Sequence, residues 1–584
     1  MNRRIAFLLV MVLAFAILPF SSFAEGAYHK QLEEAILRSK KLFNIGDEYD
    51  KFDHTMSSMD GVTVFYLNWS DSKGKLDNIH LSITADGTIL SLSKYKTVYE
   101  EQRPKLPKIS KDEGLKIAED FIKKVAPKLA ASIKYIELSE PININYSNYR
   151  YYFVRMENGI PYYDNRIDIS VDSSTGEVRD YYANWEMNLK FEGVKDVISP
   201  EQAKELYKEK IGLDLVYKTS YKDNKPSSFL VYSPLNPNLA INAKSGEVTP
   251  IYNFYPLYEK AADMGAGGFV VTEELSPDEK EAVEGIAGLI SSEEAEKKAR
   301  EILKLGPEYN LNYLNLYKDW RGEDSYSWQL EFMKGSKSKA YYVSISIDAK
   351  TKELIYFYRF GPEDGNKRVE YDKEKALEIA KEYIRKMNPD KIDLIEFRED
   401  EGSYRPLQEQ RYYYFNFVRK LDKAYVDQDG ISVTVDGASG NITEYRVNWT
   451  TRDFPSQKDI ISLEKAYGIL YNDIGLELRY VNPNIYEGNV RDKKEAILVY
   501  SLKTEKPSLI DAKTGALLNY LGEPYEERQI ASYKDIEDSY AKDKINMLAQ
   551  YGIALPGDDF RPKEKMKQKD FLYLLAKAHS PYME

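Results

Sequence analysis

The stretch IDISVDSSTGEVRDYYANW, Ile167 to Trp185, constrains this chain most, because the sequence repeats it. It returns at Ile431 to Trp449 as ISVTVDGASGNITEYRVNW, and in weaker form at Ile83, Ile241, Ile345 and Leu509. Ile167, Ile169 and Val171 alternate with Asp168, Ser170 and Asp172, the period-two pattern of a strand with one buried face. An Asp or Asn then bonds its own backbone to open a turn, and Gly176 or Gly440 supplies the positive φ needed to leave it. Past the turn Tyr181, Ala183 and Trp185 share one face, as do Tyr445, Val447 and Trp449. The motif is a β-hairpin, which builds scaffold and performs no chemistry.

Each hairpin follows an amphipathic helix with a start signal. Ser110 with Glu113, Ser199 with Gln202 (and Pro200 at the first helical position) and Ser291 with Glu294 read as capping boxes. Asp372 and Ser462 precede two further helices, and the first helix lies around Leu32 to Leu42. Six such units begin near residues 27, 109, 198, 291, 371 and 461. Gly176 and Gly440 are 264 apart, as are Trp185 and Trp449, so the units form two duplicated halves of three. One helix can cover only one sheet face, which predicts an α+β fold of tandem helix-plus-antiparallel-sheet modules. The boundaries expected are a signal peptide at 1–24, a first half at 25–260, a linker and helix at 261–290, a second half at 291–523, and a small α-helical segment at 529–584. The Gly-rich Met264–Gly268 break predicts that the halves fold separately.

Arg3 and Arg4, the apolar Ile5 to Leu18 and the small-residue Ser22-Phe23-Ala24 read as a secretory signal. No other run is long and apolar enough to span a bilayer, so no transmembrane segment is expected after cleavage. The expected address is extracellular, at the surface or wall of a Gram-positive-type bacterium. With no cysteine, disulfides and thiolate chemistry are excluded. A net charge of −12 without a basic cluster argues against nucleic acid, and any wall attachment must be specific.

The four histidines sit at no ligand spacing, and neither a G-x-S-x-G elbow nor a Walker loop occurs. Asp427-Gln428-Asp429-Gly430 opens like a calcium loop but has Ala438 where the bidentate Glu belongs, so it reads as a plain turn. No catalytic residue, metal or cofactor is expected. Abundant carboxylates keep a secreted hydrolase of wall polymer, working through a carboxylate pair, as the alternative, with a passive surface spacer as a third reading. The 49 tyrosines suit sheets wet on one face, or a carbohydrate-stacking surface. One constellation stands above background. Tyr149, Tyr151, Phe153 and Arg155 alternate, and Tyr413, Phe415, Phe417 and Arg419 repeat them 264 residues on. As packing, this is a core row ending in an arginine–carboxylate pair. As a site, it is a cleft where Arg155 and Arg419 receive an anionic or peptide ligand beside Tyr151 and Phe415.

NGIPYY (Asn158 to Tyr163) leading into ISVDSSTGEV resembles the PepSY-like modules of secreted bacterial proteins. Over roughly 27–523 the chain resembles the YcdB/YcdC repeat proteins of the Gram-positive cell surface. PepSY-like modules serve as pro-segments and inhibitors of secreted peptidases, so the resemblance implies binding or regulation, with a secreted peptidase or peptide as partner. Tyr533 to Ala578 resembles one S-layer homology (SLH) motif, through Asp535, Tyr540-Ala541, Gly552-Ile553 and Phe560-x-Pro562. That likeness implies contact with secondary cell-wall polysaccharide at Asp535, Tyr540, Gly552, Lys567, Gln568 and Lys569. Lys567-Gln568-Lys569-Asp570 stands where the family has a TRAE-type segment. Lysines offer point charges without the bidentate arginine fork, so the wall binding expected is weak and salt-sensitive.

Overall fold

The computed structural model describes residues 21–59, 61–96, 107–137, 148–222, 225–251, 288–318, 325–335, 340–362, 368–398, 411–482, 495–527 and 530–579. Most of the expected signal and linker fall outside them. The chain forms two compact units, one of residues 1–192, 494–496 and 527–584, the other of 193–493 and 497–526.

In the first unit two helices, Ser21–Phe43 and Lys111–Val125, lie on one face of an eight-stranded antiparallel sheet. From one edge, its strands are Lys51–Met59, Val62–Ser70, Asn78–Thr84, Ile89–Tyr95, Val178–Asn184, Ile160–Asp172, Asn148–Glu157 and Ile133–Ile136. Two modules thus meet edge to edge, with Leu92 paired to Tyr181. The second unit repeats the arrangement with Ser292–Leu303 and Lys373–Met387 over Asn310–Lys318 through Ile442–Asn448, joined where Phe357 pairs with Tyr445. Each half therefore carries helices plus an antiparallel sheet, as the repeats imply.

Local chemistry sets these elements. Ser110, Ser199 and Ser291 each accept from the backbone N–H three residues on, and Glu113, Gln202 and Glu294 reach back to the cap N–H. Alanines face the sheets (Ala118, Ala295, Ala299, Ala376 and Ala380 are fully buried), letting the helices approach closely. In the hairpin turns Asp172 Oδ1 accepts from the N–H groups of Ser174 and Thr175 at 2.8 and 2.9 Å, and Gly176 follows at φ 73°. Asn242, Asp348, Asp436 and Asp511 build the same turn. Lys352 holds the left-handed place in the fourth copy at φ 64°.

The duplicated cores differ at one hydroxyl. Tyr445 donates to Asn388 Oδ1 at 2.5 Å, from the residue that caps Lys373–Met387. Ala126 caps Lys111–Val125 at the equivalent place, so the Tyr181 hydroxyl is buried without a partner among the described residues.

The third module of each half does not close on itself. The hairpin Asp214–Lys222 and Lys225–Ser233 takes its neighbour from the sixth module, Tyr232 pairing with Ile510. Reciprocally, Leu239–Asn242 of the third module pairs with Glu495–Leu502, Ile241 opposite Tyr500. Tyr232 donates to the Ile461 carbonyl at 2.9 Å, and Tyr500 to the Ile198 carbonyl at 3.1 Å. Tyr207, Leu213, Tyr467, Leu470 and Ile510 fill one shared core. The expectation that the halves fold separately is therefore corrected: strands are exchanged across the duplication, and no sequence marker flags an edge that is completed at long range.

The C-terminal segment is also not a separate body. Tyr533, Ile536 and Ile545 make a small core of its own around the helix Lys542–Gln550. Tyr551 and Ile553 then enter the core of the first unit, Tyr551 lying 6.2 Å from Tyr149 ring to ring.

Fragments 25–262 and 270–526 should each be poorly folded in the third-module region and combine on mixing into a stable complex. Size-exclusion chromatography and amide exchange check this, and two independently cooperative fragments would contradict it. Removing the orphaned hydroxyl with Tyr181→Phe should leave stability unchanged or raise it by about 1 kcal/mol. Tyr445→Phe, which strands Asn388, should lower it by about 1–2 kcal/mol in urea unfolding.

Candidate functional site

The two aromatic rows lie on the helix-facing side of their sheets. Tyr149 and Tyr151 are buried, and their hydroxyls donate to the carbonyls of Ile109 and Lys111 at 3.0 and 2.7 Å, tying the strand to the helix entry. Burial pushes both hydroxyls far above the ordinary tyrosine pKa. Phe415 is 1% exposed and meets Phe397 edge-on at 5.9 Å.

Each row ends in a clamped arginine. Arg155 lies between the rings of Trp185 and Phe191, 4.9 and 4.4 Å from their centroids. Its Nη1 donates to Asn165 Oδ1 and the Glu186 carbonyl, both at 3.1 Å, and its Nη2 to Glu157 at 3.4 Å. Tyr162 and Asn165 hold the Glu186 carboxylate beside it. Burial pulls the Arg155 pKa down, opposed by Glu157, Tyr162 and Glu186. Arg419 lies 4.2 Å from the Trp449 ring and 5.3 Å from Phe454. Its Nη1 donates to Asp429 Oδ2 and the Thr450 carbonyl, both at 2.8 Å. Thr450 also donates to Asp429 through N and Oγ1, at 3.0 and 2.8 Å.

Asp429 and Thr450 occupy the positions of Asn165 and Glu186. The acid has changed places across the duplication, yet each arginine keeps an internal acceptor. The ligand cleft sketched for Arg155, Arg419, Tyr151 and Phe415 is therefore corrected. The Tyr151 hydroxyl, both Nη groups of Arg155 and the Nη1 of Arg419 engage the protein itself, each arginine's Nε has no acceptor among the described residues, and the packing alternative describes them. Asp429 is corrected as well: the expected turn at 427–430 lies inside the strand Ala424–Asp436, and Asp429 is the carboxylate of the second clamp. Among the described residues no three His, Cys, Asp or Glu side chains gather as a metal site.

The SLH-like positions are distributed differently. Asp535 is used internally, accepting from the N–H groups of Phe560 and Arg561 at 2.8 and 2.6 Å. Gly552 ends the helix Lys542–Gln550 at φ 74°. Tyr540 is 100% exposed, and Lys567, Gln568 and Lys569 are exposed where the helix Gln568–His579 begins. Sequence reasoning missed Tyr551 and Asp429. A tyrosine beside a helix-ending glycine was the available signal for the first, and the alternation of the Ala424–Asp436 strand for the second.

The sheet face turned away from the helices is open in the second unit. Tyr317, Tyr358 and Phe360 are 43, 38 and 54% exposed there, with Tyr313, Tyr342 and Tyr356 among them. Burial, then a hydrogen bond to the Glu331 carboxylate, push Tyr342 up to about 12. Arg446 lies 4.4 Å over the Tyr356 ring.

These features define a tandem-repeat α+β protein whose unit is a pair of helices on one antiparallel sheet. A family model described as "YcdB, YcdC repeated domain" matches residues 32–185 and 292–449, one such sheet each and more than half the chain, and the protein belongs to that family. The exchanged third and sixth modules lie beyond the matched residues. No curated protein matches the chain. Among solved structures, the Bacillus megaterium YpeB C-terminal domain is similar at 20% identity over 38% of this chain and 97% of its own, with a TM-score of 0.24, too low to carry an argument.

Asp429→Ala, which strips a buried guanidinium of its only carboxylate among the described residues, should cost about 3–5 kcal/mol. Glu157→Ala should cost less than about 1 kcal/mol, since that acid is partly exposed and Arg155 keeps two other acceptors. Calorimetric melting of both variants checks the difference.

Proposed function

We propose that this chain is an exported, non-catalytic binding or regulatory protein of the cell envelope, attached to wall polysaccharide through its C-terminal segment. The observation that carries the reading is the mounting of that segment. Tyr551 and Ile553 fix it to the first repeat pair, while Tyr540, Lys567, Gln568 and Lys569 remain turned to solvent. Contact residues on a fixed base lose less conformational freedom on binding than residues on a loose tail. Membership of a repeat family and the internal use of the buried arginines support scaffold and binding over turnover. The open tyrosine face of the second unit is the surface on which a peptide or peptidase partner would seat, with amphipathic rings above polar neighbours.

The intact protein should cosediment with purified cell walls at low ionic strength and be released by moderate salt. Lys567→Glu combined with Lys569→Glu should weaken this roughly tenfold, as two reversed surface charges would. Binding indifferent to that double variant would remove the attachment reading. Peptidoglycan and casein should not be hydrolysed, and turnover sensitive to mutation would favour the carboxylate-pair hydrolase instead.

A further inference from the structure

The duplication supplies an internal comparison of one polar cluster. In the first repeat pair Lys94 Nζ meets Glu177 at 2.6 Å. Arg179 beside them bonds Asp77 and lies 3.7 Å from Glu177 and 3.9 Å from Asp172. Two cations are held by three acids. The strand ladders identify the counterparts in the second pair. Leu81 faces Leu92 as Ile345 faces Phe357, which puts Arg359 in the place of Lys94. Asn441, Thr443 and Tyr341 stand for Glu177, Arg179 and Asp77. The one acid retained, Asp436, is taken by Arg411 at 2.8 and 3.2 Å.

Arg359 is left with no carboxylate in ion-pair range among the described residues, and its Nε is buried without an acceptor. Its guanidinium lies 5.0 Å from the Phe357 ring centroid, with the Tyr383 and Tyr309 hydroxyls close enough to act on its charge. Burial lowers its pKa and those tyrosines oppose the shift, but an arginine stays protonated at any ordinary pH. Lys334 lies 5.4 Å over Tyr309 and 5.8 Å over Tyr341, and 3.5 Å from Glu308.

We propose that Arg359 anchors a binding site for a single carboxylate, of the class found at a peptide's C-terminus, which takes the place Glu177 fills in the first repeat pair. A carboxylate matches the guanidinium fork bidentately. Tyr383 and Tyr309, both partly exposed, give the apolar wall that a terminal side chain needs. Glu308 and the net charge of −12 disfavour a polyanion. The inference goes beyond wall attachment, since none of these residues belongs to the C-terminal segment.

Calorimetric titration of the full chain with N-acetylphenylalanine tests it. Saturable binding is expected, weakened at least about tenfold for the corresponding amide and for Arg359→Gln. Asn441→Glu, which rebuilds the acid of the first pair, should abolish binding without lowering the melting temperature, so that loss of ligand is separated from loss of fold. No saturable binding by the wild type, or binding undiminished in either variant, would overturn the site. Binding of glucuronate in place of the acetyl amino acid would overturn the peptide assignment.

Discussion

Everything in this architecture depends on how an open sheet edge is satisfied. A module of one helix and four strands covers one face of its sheet and leaves a row of backbone N–H and C=O groups at its side. In the first unit that edge is closed by a second module, Ser91 to Ser93 against Asp180 to Tyr182. The second unit closes it the same way at Tyr356 to Tyr358. The third and sixth modules close theirs by exchange, each lending a strand to the other's hairpin. The pairing is antiparallel and short, so the side chains around it do the selecting. Tyr232 and Tyr500 reach corresponding carbonyls, and Lys208 meets Glu464 at 2.8 Å.

Much of the local structure was legible in the chain. Capping boxes at Ser110, Ser199 and Ser291 start helices where the residues say they should, because both partners of the cap are within three positions. The Asp-turn-Gly hairpins are legible for the same reason: acceptor, donors and positive-φ residue lie within five residues. Register is legible where a strand has one apolar face, since a slip of one would expose Ile167, Ile169 and Val171. Which edges meet was not legible. Nothing in Leu239–Asn242 says that its neighbour lies some 260 residues away, and the same four residues would pair equally well with any free antiparallel edge. Tyr551 was missed likewise, because its role depends on a core built more than 350 residues earlier.

The candidate site divides along the same line. That Arg155 and Arg419 end aromatic rows could be seen; what they bond could not. Arg155 pairs with Glu157 on its own strand and with the Glu186 carbonyl, whereas Arg419 pairs with Asp429 on the following strand, so no spacing rule finds both. Two readings of one row, core or cleft, differ only in whether a long-range partner exists. The structure supplies it, with a tryptophan face stacked over each guanidinium to shield it.

Duplicated halves on one backbone plan let polar residues be compared with geometry nearly constant. The clamps show what such a comparison looks like when stability governs it: the acid moves from one position to another, and the buried arginine keeps an internal acceptor. The cluster around Lys94 and Arg359 shows the other outcome. There the acids have gone from three positions to one, that one serves Arg411, and the cation remains. Burying a guanidinium beside rings with no counter-ion among the described residues is unfavourable, and a neutral residue at that place on the strand would cost less. Packing therefore explains why Arg155 and Arg419 are arginines, and it does not explain why Arg359 is one.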